Sequence, residues 1–170
     1  MAAMQITLKH GDILDEDVDV LISTANPWLR LTGGVNGAIL ARGGQSVADE
    51  LAAWLVPTGR FWVPAATVVR TGPGPLGVKC ILHAVAIDGH YQSSPELVAE
   101  TLGKALDMAV AEGARTVATP ALACGYGNLE LAGFVEGLRL VEPRPLEELR
   151  VVMLRQDLYE ELQGLITMRL

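Results

Sequence analysis

The chain has 170 residues, half of them hydrophobic and 19% charged, with 13 basic against 20 acidic residues and a formal net charge of -7. That length and apolar content are enough for one domain with its own core and exclude a disordered chain. The acidic balance argues against an electrostatic nucleic-acid binder, which needs a clustered cationic face. It also means that a phosphate ligand would be held mainly by main-chain dipoles.

In chain order, Gln5 to Lys9 alternates apolar and polar residues and predicts an edge-type strand. Asp12 to Asp19 is an acidic turn. Val18, Val20, Leu21 and Ile22 make a short buried strand, which Thr24-Ala25-Asn26-Pro27 ends. Gly34 to Ala41 starts a helix that breaks at Gly43-Gly44. Ser46 is the expected N-cap of a second helix, with Asp49 three residues on, and Pro57 stops that helix near Val56. Ala66 to Arg70 is a strand, and Thr71-Gly72-Pro73-Gly74-Pro75 is a turn cluster. Lys79 to Ala86 is a continuous apolar run, the mark of a strand covered on both faces. Ser94-Pro95-Glu96 opens a long helix to Glu112, with Gly113 as its C-cap. Arg115 to Thr119 is the next strand, Leu131 to Val141 a helix, Leu149 to Leu154 a last buried strand and Asp157 to Met168 a terminal helix. Strands alternate with helices, so a three-layer α/β/α fold is expected, with a mostly parallel mixed sheet and helices on both faces. No repeat or long linker divides residues 1–170, which read as one domain.

Two glycine-bearing loops stand out. One is Leu31-Thr32-Gly33-Gly34-Val35-Asn36-Gly37-Ala38-Ile39-Leu40, and the other is Pro120-Ala121-Leu122-Ala123-Cys124-Gly125-Tyr126-Gly127-Asn128-Leu129. Each follows a strand and leads into a helical pattern. Bare backbone N–H groups at such a place face an anion, and two such loops could close on a diphosphate from both sides. In a parallel sheet, ligands sit at the carboxyl ends of the strands, where both loops and the Asn26 turn lie.

Individual residues carry two readings each. Asp12 either accepts a hydrogen bond from an exocyclic amine such as that of adenine or is a solvated turn carboxylate. Asn26 suits ribose hydroxyls, or is an ordinary turn residue before proline. Gly33, Gly34 and Gly37, with Gly125 and Gly127 opposite, permit close approach to a phosphate, or merely serve turns with positive φ. His83 within its apolar strand reads as a neutral core histidine rather than a catalytic one, and Cys80 as a small core residue. Trp28, Trp54 and Trp62 read as core or groove wall. No metal-ligand spacing is present, and two cysteines indicate no disulfide framework but a reduced, cytoplasmic setting. Met1 to His10 lacks the features of a secretory leader, and no apolar stretch approaches the ~18 residues that span a bilayer. The G-x-x-x-x-G-K-[ST] loop, the G-x-G-x-x-G fingerprint after the first strand and the G-x-S-x-G elbow are all absent.

In this order the motifs resemble the macrodomain family of ADP-ribose-binding modules. GDILDEDVDVLISTANPWLRLTGGVNGAI, from Gly11 to Ile39, is similar to the family's acidic GD turn, buried strand, Asn turn and GGV loop. PALACGYGNL, from Pro120 to Leu129, is similar to its second phosphate loop, and KCILHAV, from Lys79 to Val85, to its central His-bearing strand. The resemblance covers nearly the whole chain. It implies that Asp12, with the Ile13 backbone, binds the adenine amine, and that Asn26 holds the distal ribose. Gly33, Gly34 and Val35 would then give amides to one side of a diphosphate. Ala123, Cys124, Gly125, Tyr126 and Gly127 would enclose the other side and the distal ribose, and Leu154 would flank the adenine.

Three departures stand beside the resemblance. The turn reads Ser23-Thr24-Ala25-Asn26, with one amide fewer than the family's N-A-A-N. Asn36 replaces the Asp of hydrolytic relatives, and an amide cannot act as a general base. The C-G-Y-G loop is one residue shorter than the common form. The implied function is hydrolysis of ADP-ribose conjugates: mono-ADP-ribosylated proteins, O-acetyl-ADP-ribose or a terminal phosphate. Asn26, Asn36 and Gly125 form the implied catalytic set, and Asn36 would position a water. The alternative is a reader that binds ADP-ribose without turnover. No cofactor, metal, nucleic-acid partner or membrane partner is expected, and the chain is expected to be a monomer.

Overall fold

The computed structural model describes residues 3–125 and 127–169. Its strands are β1 (Gln5–His10), β2 (Val20–Thr24), β3 (Val68–Thr71), β4 (Cys80–Ala84), β5 (Thr116–Thr119) and β6 (Glu148–Met153). Its helices are α1 (Gly34–Gly43), α2 (Gln45–Leu55), α3 (Pro95–Ala111), α4 (Leu131–Leu140) and α5 (Gln156–Arg169). The strands form one six-stranded sheet in the order β1-β6-β5-β2-β4-β3. Every neighbouring pair is parallel except β3–β4. The expected mostly parallel mixed sheet is therefore the observed one, and β1 is an edge strand as its alternation predicts.

The central strands are apolar on both faces because both are covered. On β2, Val20 and Ile22 join one core with Leu82, Leu102, Leu106, Phe134 and Leu162, contributed by β4, α3, α4 and α5. Leu21 points the other way and joins Ile39, Leu51 and Ile81 beneath α1 and α2. The period of two along each strand sorts its residues between the two layers. Cys80 and His83 are both fully buried, as expected of core residues.

Some boundaries differ from those the sequence predicts. Ser46 does not cap α2. Gly44, at φ 82°, ends α1 and caps α2 together, so Ser46 lies inside the first turn. Glu112 caps α3, and Gly113, at φ 78°, takes the left-handed position one residue beyond. The last strand runs Glu148–Met153, and Leu154 falls outside it. Trp54 and Trp62 are 41% and 42% exposed, not core. Neither faces a filled apolar layer: α2 buries only Val47 and Leu51, and Trp62 carries the Arg60 guanidinium 5.2 Å from its ring centroid.

Candidate functional site

Sheet order decides what can meet at one edge. Four adjacent parallel strands, β1-β6-β5-β2, end side by side. Asp12 follows β1, Leu154 follows β6, the second glycine loop follows β5, and the Asn26 turn and first glycine loop follow β2. Neighbouring strands are about 4.8 Å apart, so this row of four ends spans about 14 Å.

At the β1 end, Asp12 Oδ1 accepts from the Leu14 amide at 2.9 Å and caps the short 3-10 turn Ile13–Asp15. Its Oδ2 lies 3.6 Å from Arg42 Nη1. Both readings of Asp12 persist, since a turn role engages one oxygen and leaves the other at a partly exposed rim. Ile13 is buried. Leu154 is 71% exposed, with its carbonyl 3.1 Å from His10 Nε2.

The first loop is built to leave amides open. Gly33 has φ 62° and ψ 165°, and Gly34 has φ 52°, values that L residues rarely adopt. They turn the chain sharply from β2 into α1. No side chain caps α1 and its first turn holds no acidic residue. The helix therefore presents unpaired N–H groups, with their partial positive charge, to the site. Asn36 holds this helix end in place: its Oδ1 accepts from Ser23 Oγ at 2.7 Å, and its Nδ2 donates to the Thr24 carbonyl at 2.8 Å. It is 1% exposed. Asn36, expected to help position a water, thus spends one acceptor and one donor site of its amide on β2.

Asn26 is also engaged by the protein. Its Oδ1 accepts from the Trp28 and Arg30 amides at 3.0 and 3.2 Å, and its Nδ2 donates to the Arg30 carbonyl at 2.8 Å. The second Nδ2 proton has no protein acceptor among the described residues. Asn26 therefore shapes the 26–30 turn and keeps one donor.

In the second loop, Ala123 is buried and has φ 68°. A Cβ on Gly127 would lie 2.2 Å from the Ala123 carbonyl oxygen and 2.8 Å from Ile87 Cγ2, so only glycine fits there. A Cβ on Gly125 would meet open space. Burial pushes the Cys124 thiol up to about 12, so this cysteine stays protonated and is a poor nucleophile. Tyr126 lies outside the described residues. The loop is fastened to the segment after β4, where the Asn128 amide donates to the Tyr91 carbonyl at 2.8 Å.

Next to the β2 end lies an open groove of about 380 Å³ lined by Asn26, Trp28, Arg30, Thr32, Phe61 and Tyr91. The rings of Trp28 and Tyr91 pack tilted, with centroids 6.1 Å apart. Trp28 is thus the groove wall that its sequence position suggested. Arg30, Phe61 and Tyr91 were not singled out from sequence. For Phe61 and Tyr91 the sequence carries one signal, a large aromatic residue in a turn-forming stretch, and for Arg30 it carries none. Among the described residues, no group of three metal-binding side chains forms, and no helix is long and apolar enough to cross a membrane.

A family model described as Macro domain matches residues 22–135. A macro domain-containing protein from Streptomyces griseus is 34% identical over 172 residues, covering 96% of each chain. A protein of Cronobacter turicensis named O-acetyl-ADP-ribose deacetylase is 33% identical over 126 residues, covering 72% of this chain and 70% of its own. The solved macrodomain of Oceanobacillus iheyensis with ADP superposes with a TM-score of 0.82 at 21% identity, covering 95% of this chain and 89% of that one.

Proposed function

The chain belongs to the macro domain family, and from that premise we propose that it binds ADP-ribose and slowly hydrolyses ADP-ribose conjugates. The observation that carries the binding reading is the row of strand ends β1-β6-β5-β2, whose loops match the order of groups along the ligand. In this reading adenine lies over the β1 and β6 ends, with Asp12 Oδ2 accepting from its amine, the Ile13 backbone beside it and Leu154 on its flank. The diphosphate lies between the amides of Gly33, Gly34 and Val35 and those of the 123–127 loop. The free Nδ2 proton of Asn26 goes to a hydroxyl of the distal ribose. The S. griseus relative supports the family over its whole length, and the name of the C. turicensis relative supports a hydrolytic outcome.

For hydrolysis, the bent ligand brings a water to C1″ of the distal ribose. The water oxygen bonds to C1″ as the bond from C1″ to the acceptor oxygen breaks. The acceptor leaves as a carboxylate, and the water's proton passes to a diphosphate oxygen. Orientation and amide electrostatics supply the rate. Absence of a general base forfeits about 10²–10⁴-fold, so turnover is slow. Asn36 acts as a positioning residue that fixes the α1 amides.

A second reading, a binding module without turnover, is favoured by one observation: Asn36 is buried, with its Oδ1 and Nδ2 each bonded to β2. Calorimetry with ADP-ribose, ADP, AMP and NAD tests binding, with ADP-ribose expected to be tightest. Incubation of stoichiometric protein with a mono-ADP-ribosylated protein separates the two readings. Release of label supports the hydrolase, and complete retention leaves only the binding module.

A further inference from the structure

The aromatic groove shares Asn26 with the ADP-ribose contacts just described, and its other lining residues stand outside them. Its walls are nevertheless tied to both glycine loops. Trp28, Arg30 and Thr32 lie on the segment that runs into Gly33. Tyr91 is bonded to Asn128 of the second loop, and the Val63 amide, two residues after Phe61, donates to the Pro27 carbonyl at 2.7 Å. Tyr91 itself is held at φ 62°, a costly conformation for an aromatic residue. A group attached to a ribose at Asn26 has this groove immediately ahead of it.

The charge around the groove differs from that at most other arginines of the molecule. Arg42, Arg70, Arg115, Arg144, Arg150 and Arg155 each pair with a carboxylate. Arg30 has no ion pair among the described residues, and none of the six lining residues is acidic. Arg60, beside Phe61, likewise carries no ion pair and rests on the Trp62 ring. In a chain with a net charge of -7, one guanidinium without an ion pair, that of Arg30, lines the aromatic groove, and a second, that of Arg60, belongs to the residue next to the lining Phe61. Phe61 is 73% exposed, and the same segment exposes Trp54, Val56 and Trp62. Trp, Tyr and Arg dominate binding energy at protein interfaces. A nucleic-acid strand would call for a row of free cations along its phosphates, and only two are present here.

We infer that this groove is an acceptor subsite for a protein segment bearing carboxylates next to the ADP-ribosylated residue. Arg30 and Arg60 read the flanking carboxylates, and Trp28, Phe61 and Tyr91 pack on the segment. This inference rests on the ADP-ribose reading of the glycine loops. The test compares four probes by calorimetry: free ADP-ribose, and three non-hydrolysable ADP-ribose conjugates. Those conjugates are a peptide with glutamates on either side, a peptide with lysines there, and an oligonucleotide modified at its terminal phosphate.

The glutamate-flanked peptide is expected to bind about tenfold tighter than free ADP-ribose, and the lysine-flanked one no tighter. Arg30→Glu is expected to abolish that gain and Phe61→Ala to reduce it, both with unchanged affinity for free ADP-ribose. Equal affinities for the two peptides, or an oligonucleotide conjugate that outbinds the glutamate peptide, would overturn the acceptor subsite while leaving the loops intact. Failure of free ADP-ribose to bind the wild type would overturn both readings.

Discussion

At the scale of single residues, two positions turn local sterics into ligand geometry. Gly127 is required because its missing Cβ would strike the Ala123 carbonyl, and Ala123 is already held at positive φ. Gly127→Ala must therefore displace the loop. It is expected to weaken ADP-ribose about tenfold or more with retained secondary structure, as read by calorimetry and circular dichroism. Asn36→Ala leaves the buried Ser23 hydroxyl and the half-buried Thr24 carbonyl without their partner. A loss of about 2–3 kcal/mol in urea unfolding is expected, with weaker ligand binding because α1 loses its tether. Unchanged stability would show that Ser23 and Thr24 find other partners. The positions of both residues were legible in the sequence, but their duties were not. A glycine looks the same whether it clears a phosphate or a neighbouring carbonyl. An Asn in a glycine loop gives no sign that its amide will be turned onto the strand before it.

At the scale of elements, strand and helix order could be read from hydrophobic periodicity almost throughout, because the central strands are covered on both faces and read as short apolar runs, while the edge strand β1 alternates. Strand neighbours could not be read, since alternation of β and α fixes layers without fixing which strand lies beside which. The β3–β4 ribbon is the antiparallel exception, and His83 is its internal tie, facing Val69 in register. Thr71 Oγ1 donates to the Gly72 carbonyl at 3.0 Å, so His83 Nε2–H donates to Thr71 Oγ1 at 2.9 Å. Nδ1 then has no hydrogen-bond partner, and a proton there would sit in an apolar layer. Burial accordingly lowers the His83 pKa from 6.5 to about 4. The folded state binds the proton less readily than the unfolded state, so stability is full above pH 6.5 and declines as pH falls toward 4. The loss across that window is about 3 kcal/mol. Thermal melts from pH 7 to 4 should fall along this course, and His83→Gln should flatten that part of the profile. A His83 ring whose proton NMR shifts titrate near 6.5 in the folded protein would refute the assignment.

At the scale of the whole molecule, an acidic protein is proposed to hold a doubly negative ligand, and the sign of its field opposes that ligand. The attraction must then be local. In that proposal, amides at the α1 N-terminus and in the second glycine loop act at contact distance, where mobile ions do not intervene, while the net charge of -7 acts across solvent and is screened over about 10 Å at 0.1 M salt. The nearby cation Arg42 is already committed to Asp12 and Asp15. Raising the salt should therefore weaken the long-range repulsion and leave the short-range amide contacts nearly untouched. The expected outcome is an ADP-ribose Kd that changes by less than about threefold between 50 and 500 mM sodium chloride, with association slightly faster at the higher salt. Arginine or lysine side chains holding the phosphates would give the opposite result, a Kd rising about tenfold or more as the ions compete for them. Calorimetry and stopped-flow mixing over that range separate the two, and a steep loss of affinity with salt would mean that side-chain cations, not main-chain amides, hold the diphosphate.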